Sequence, residues 1–189
     1  MMKFFQKSDK TTFLIKFVAF LWILLCNVIV LLLHEPLLSI GVPSWTIFLA
    51  NVLFFIKDNK NQKEGLLENA LGGIFGLVCA YGLVAFKMLT MPKGMSDFVS
   101  TFIPVAIFLF LTIALSSYVP YVFNNIALCF FLVALITSSV YGQLPGHILG
   151  VIIGNVIVNL GLVLIIGAMI KSATKKAMAK AAAAKKTEE

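Results

Sequence analysis

The chain has 189 residues, 60% of them apolar and only 12% charged, with a mean hydropathy of +1.01. Soluble domains carry about 25% charged residues. Half of that cannot cover a water-facing surface, so a soluble globular protein is excluded.

Fifteen lysines, no arginine and eight acids give a net charge of +7. On a soluble chain that excess would suggest nucleic acid. Here the lysines flank apolar stretches, where positive-inside sorting accounts for them, and no nucleic-acid partner is expected. Without arginine the chain has no bidentate fork for carboxylates or phosphates.

Lys3, Lys7 and Lys10 precede an apolar stretch, as in a signal peptide. The stretch from Phe17 to Leu33 exceeds the ~7–15 residues of such a core and lacks an A-x-A-like cleavage site. It therefore reads as a retained first span, 13–33, with Lys16 reaching the headgroups. His34-Glu35-Pro36 ends it. Residues 37–56 form a second apolar stretch, interrupted by Gly41 and Pro43, so its regular helix should begin near Ser44. The third span, 66–86, follows the polar loop 57–64 and ends at Lys87.

From Phe98 to Ile170 there is no formal charge over 73 residues, far more than the ~20 that one crossing helix needs. Ser116-Ser117-Tyr118-Val119-Pro120 gives one break, since proline disfavours helix at the residue before it. Tyr141-Gly142-Gln143-Leu144-Pro145-Gly146 gives the second. Spans at 98–117, 121–140 and 147–170 result. The expected fold is therefore all-α: a polytopic bundle of six transmembrane helices over 13–170. A basic amino end, 1–12, precedes it, and a lysine-alanine tail, 171–189, follows. Alanine and lysine favour helix, and the tail's charge suits anionic lipid.

An even number of spans places both termini and the 57–64 loop on one side. That side then holds thirteen of the fifteen lysines, leaving Lys87 and Lys93 opposite. The positive-inside rule puts the lysine-rich side in the cytoplasm.

Two stretches look alike. Leu71-Gly72, Gly76 and Gly82-Leu83-Val84 resemble Leu149-Gly150, Gly154 and Gly161-Leu162-Val163, the second copy carrying one extra residue between its later glycines. Pro43-Ser44-Trp45 precedes Phe54-Phe55 much as Pro120-Tyr121 precedes Phe130-Phe131. Two three-helix copies would run in opposite directions, the inverted-repeat plan of many transporters. At 100° per residue, Gly65, Gly72 and Gly76 share one helix face, as do Gly150, Gly154 and Gly161. Small residues let helices approach closely in lipid, so Gly72 and Gly76 are expected to pack on Gly150 and Gly154. Such faces also suit a second copy of the chain.

No enzyme signature is present, and no catalytic residue, cofactor or metal is expected. Position 38 is Leu, so His34-Glu35 opens no H-E-x-x-H site. Cys26, Cys79 and Cys129 lie in apolar segments without ligand spacing and read as structural thiols. His34 and His147 each stand two residues from a proline and read as solvated loop residues, or as a proton-sensitive entrance. Polar residues at membrane depth are the better clue, because they require a partner or water: Asn27, Asn51, Glu68, Asn69, Asn124, Asn125, Asn155 and Asn159. Interhelical hydrogen bonding is the first account of the asparagines; lining a polar pathway is the other, with Asn51, Glu68, Asn155 and Asn159 as the candidate pathway residues. Asn155 and Asn159 would stack on one face, roughly opposite the Gly150/Gly154 seam.

Pro43-Ser44-Trp45 with Phe48-Leu49 and Phe54-Phe55, the glycine-bearing third span, Ser117-Tyr118-Val119-Pro120 and the glycine-rich last span together resemble the DUF1097 family of small bacterial inner-membrane proteins. The likeness covers about residues 17–170, with a longer lysine-bearing amino end here. It implies a multi-pass protein of the bacterial inner membrane and carries over no site residue. The functional expectation is a channel or transporter for a small solute. The alternative is a non-transporting subunit whose glycine faces bind a partner membrane protein.

Overall fold

The computed structural model describes residues 10–56, 62–137 and 143–187. Part of the 57–64 loop and Tyr141-Gly142 of the second break lie outside them. Among the described residues the protein is all-helical, without a strand.

Four helical stretches are long and apolar enough to cross a bilayer. The first is α1, Lys10–Leu32. A six-residue helix, α2 (His34–Ser39), and a turn at Gly41 (φ +79°) redirect the chain into α3, Ser44–Ile56. The second long helix is α4, Gln62–Thr90. It outruns the expected 66–86 because Gln62–Leu66 and Lys87–Thr90 are good helix formers apart from Gly65 and Thr90. A 3₁₀ turn at Met91–Lys93 and Gly94 (φ +88°) lead to α5, Asp97–Leu115. Ser96 caps α5, its hydroxyl accepting from the Val99 amide at 3.3 Å. The chain then breaks at the expected Ser116–Pro120 segment and resumes as α6, Asn125–Thr137. The last long stretch comprises α7 (Leu144–Ile153), a π-helical turn (Gly154–Asn159) and α8 (Leu160–Thr187). The lysine-alanine tail continues α8 without a break.

α3 and α6 have 13 residues each. At 1.5 Å per residue that is about 20 Å, against a hydrocarbon core of about 30 Å.

α6 packs along α4, and α3 packs along α7 and the π turn. The first contact is apolar: Leu77, Ala80, Ala127, Phe130, Phe131 and Ala134 are buried there. Phe131 stacks on Phe108 of α5 at 4.1 Å between ring centres. α1 lies outside α8, where Trp22 rests on Gly161 and donates to the Val158 carbonyl at 3.0 Å. Much of α1 and α5 is exposed apolar side chain, including Leu32, Phe110 and Ile113. Such outer faces suit lipid and not water.

The expected pairing of the two glycine faces is not what the structure builds. A Cβ on Gly72 would sit 2.5 Å from Asn124 Oδ1, and one on Gly76 would strike the Ala127 carbonyl, so this face receives α6. A Cβ on Gly150 would strike Thr46 Oγ1, and one on Gly154 would lie 2.9 Å from Ala50 Cβ, so that face receives α3. The third and last spans do touch, but through Gly73, which sits against Phe130 and Val151. Helical periodicity identifies a face of small residues. It does not identify the neighbour.

Candidate functional site: a buried asparagine cluster

The close approach at Gly150 and Gly154 brings the α3 backbone within reach of side chains on α4 and the π turn. Five asparagines meet there. Asn69 Nδ2 donates to the Ala50 carbonyl at 2.7 Å and to Asn155 Oδ1 at 2.9 Å. Asn159 Nδ2 donates to the same two acceptors, both at 3.2 Å. Asn155 Nδ2 donates back along its own helix to the Val151 carbonyl at 2.9 Å. Asn51 Nδ2 donates to Asn27 Oδ1 at 3.2 Å, which ties in α1. Asn51, Asn69 and Asn159 are each 0% exposed.

The π turn makes this arrangement possible. In a regular helix Asn159 would stand 140° from Gly154, pointing away from α3. An i→i+5 turn takes in one additional residue, about 100° of rotation, which swings Asn159 to within about 40° of Gly154. The expectation that the asparagines oppose the Gly150/Gly154 seam therefore fails. Glycines and asparagines share the side facing α3. Around the π turn the carbonyl pattern shifts, and the Val158 carbonyl is the one Trp22 uses.

Of the expected pathway residues, Asn51, Asn155 and Asn159 belong to this cluster, and Glu68 does not. Glu68 lines a recess of about 390 Å³ with Leu53, Ser116, Asn124, Asn125 and Cys129. Asn124 closes the top of α6 there, accepting from the Ala127 amide at 3.0 Å and donating to the Pro120 carbonyl at 2.9 Å. A second recess, about 370 Å³, lies toward the other end of α4 and α6 and is lined by Leu83, Lys87, Thr101 and Ala134 among others. Between them, Leu77, Ala127, Phe130 and Phe131 leave at most 1% of any side chain exposed.

Asn69 is the hub of the cluster, a role outside the candidate pathway set. Its signal in the sequence is its own amide at membrane depth, beside the more conspicuous charge of Glu68. His147 also corrects the sequence reading. It is not a solvated loop residue but is 0% exposed in the first turn of α7, its Nδ1 2.8 Å from the Gln143 carbonyl and its ring edge-on to Trp45 at 5.5 Å. Pro145 occupies a helix-opening position, where its missing amide costs nothing. His34 does stay exposed, with Nδ1 2.9 Å from Ser44 Oγ. Cys26, Cys79 and Cys129 are free thiols. No His/Cys/Asp/Glu cluster among the described residues could hold a metal.

No protein-family model, curated protein or solved structure matches this chain. The site's chemistry has to carry the functional argument.

Proposed function

We propose that the protein is a six-span transporter or channel of the bacterial inner membrane. In this reading two inverted three-helix halves enclose a route for a small polar solute, and both termini are cytoplasmic. The observation that carries it is the asparagine cluster at the interrupted last span, where the halves meet. Transporters of inverted-repeat design place their sites at broken helices near mid-membrane, and buried amides in lipid are costly unless they serve a purpose.

The helix contacts support the halves. Gly72 meets Asn124 while Gly150 meets Thr46, and Gly76 meets Ala127 while Gly154 meets Ala50. Adding 78 to Gly72, Gly76 and Thr46 gives Gly150, Gly154 and Asn124. Each half thus lays its short helix on the glycine face of the other half. The extra residue between Gly154 and Gly161, relative to Gly76 and Gly82, coincides with the π turn. α3 and α6 cross in this reading despite their length. The buried Val42 and Pro43 extend α3 with irregular backbone shielded by protein. Resemblance to the DUF1097 family points to the same membrane.

The two recesses, separated by Phe130 and Phe131, suit a route closed at its middle. The test is a comparison of uptake and efflux of small polar metabolites between a deletion strain and strains complemented with the parent or with Phe130→Ala. A solute whose flux depends on the parent and rises with Phe130→Ala supports the route. Equal flux in all strains across a broad metabolite panel would leave the non-transporting subunit as the better reading.

A further inference from the structure

The hydrogen-bond inventory of the asparagine cluster does not balance. Asn69 and Asn159 each commit both amide hydrogens, to Ala50 O and Asn155 Oδ1. Asn155 Oδ1 accepts twice. Asn51 and Asn155 each donate once, and the side-chain oxygens of Asn51, Asn69 and Asn159 are buried and have no donor. Native proteins rarely bury such groups without a partner, and in lipid no bulk water reaches them. Three on one cluster define a site for something that supplies positive charge.

We propose that the Oδ1 atoms of Asn51, Asn69 and Asn159 bind a small alkali-metal cation. The buried atoms of the cluster without a partner are all acceptor oxygens, which suit a cation and not an anion. The cluster contains no carboxylate, whereas Ca²⁺ and Mg²⁺ draw on carboxylate ligands and Mg²⁺ gives up its water reluctantly. Neutral amide and carbonyl oxygens are the donors that replace the hydration shell of a monovalent ion. The Ala50 methyl and the Ile47 carbonyl flank Gly154, and any Cβ on Gly154 would fall 3.3 Å from Asn51 Oδ1. Glycine therefore keeps this side of the cluster open. The 390 Å³ recess lies nearby, lined by Leu53 of α3 and Glu68 of α4.

The site stands without the transport reading, and the test separates them. Purified protein in detergent is melted in NaCl, KCl, LiCl and choline chloride at equal ionic strength, and retention of sodium-22 by the parent is measured. A saturable rise of several degrees in at least one alkali chloride over choline, with sodium-22 displaced by unlabelled alkali ions and not by choline, is the expected result. Asn51→Leu and Asn159→Leu should abolish the shift, whereas Ser117→Ala, in the exposed turn after α5, should keep it. If those leucine variants do not fold, sodium-22 retention by the parent decides alone. Identical melting in all four salts together with no retained sodium-22 overturns the site. A cation-dependent melt in a protein that moves no solute keeps the site and sinks the transport reading. Solute movement with no cation dependence does the reverse.

Discussion

The two short helices, α3 and α6, are set on their glycine faces by the same device and yet build opposite interiors. On α6 the contact is filled by aromatic and aliphatic side chains, with Phe75, Phe108, Phe123 and Phe131 in ring contact. On α3 it is filled by Asn51, Asn69, Asn155 and Asn159 around the Ala50 carbonyl. One host helix, α4, stays regular throughout. The other is interrupted by the π turn. The difference teaches that close backbone approach is the shared scaffold, and that one residue of extra helix separates a sealed contact from a polar one.

The largest effects should come from enlarging the glycines. Gly76→Leu meets the Ala127 carbonyl, which is backbone and cannot turn aside. It should cost near the top of the ~1–3 kcal/mol typical of overpacking, read as a lower melting temperature in detergent. Gly154→Leu meets Ala50 Cβ at 2.9 Å and the Ile47 carbonyl at 3.1 Å, a milder overlap, and should cost less. A larger loss at Gly154 would mean that the polar contact, not the aromatic one, is the tighter.

Next comes the hub. Asn69→Leu removes two hydrogen bonds, to Ala50 O and Asn155 Oδ1, both of which keep Asn159 as a donor, and should cost about 1–3 kcal/mol at ~0.5–1.5 kcal/mol for each bond lost. Asn124→Leu, at the half-buried equivalent end of the other contact, should cost less, since Asn124 bonds mainly to its own turn. Equal losses at the two positions would erase the distinction between a polar and a sealed contact.

The smallest effect is a deletion. Removing Ile157, 62% exposed within the π turn, lets that turn close as regular helix and leaves both flanks in register. The expected loss is about 1 kcal/mol, one hydrogen bond from Trp22. Removing Val78, similarly exposed but in the regular α4, rotates everything beyond it by about 100° and should abolish the folded protein. Expression and melting of the two deletions make the comparison directly, and equal damage would deny the π turn its role.

Much of this fold was legible because hydropathy and breakers act locally. Ser44 as the start of α3, the 116–120 break and the six apolar segments follow from residues within a turn or two of each boundary. The asparagines were legible as costly groups, since Asn51, Asn155 and Asn159 stand out in apolar sequence. Their meeting point was not. Asn159 faces α3 only because of the π turn, which a constant 100° per residue cannot anticipate. The glycine partners were hidden for a related reason, because Gly76 and Ala127 are joined by tertiary packing alone. His147 was misplaced by reading Pro145-Gly146 as loop, although both residues sit comfortably in the first turn of a helix.

Two inverted halves require that α3 and α6 cross the membrane. With six crossings, Glu64 lies on the cytoplasmic side and Lys93 outside. With only the four long helices crossing, the two positions exchange sides. Single cysteines at Glu64 and Lys93, with the native Cys26, Cys79 and Cys129 replaced by alanine, can be probed in whole bacterial cells with a membrane-impermeant thiol reagent. The account predicts labelling at position 93 and protection at position 64 until the cells are opened. Labelling at 64 with protection at 93 would contradict it.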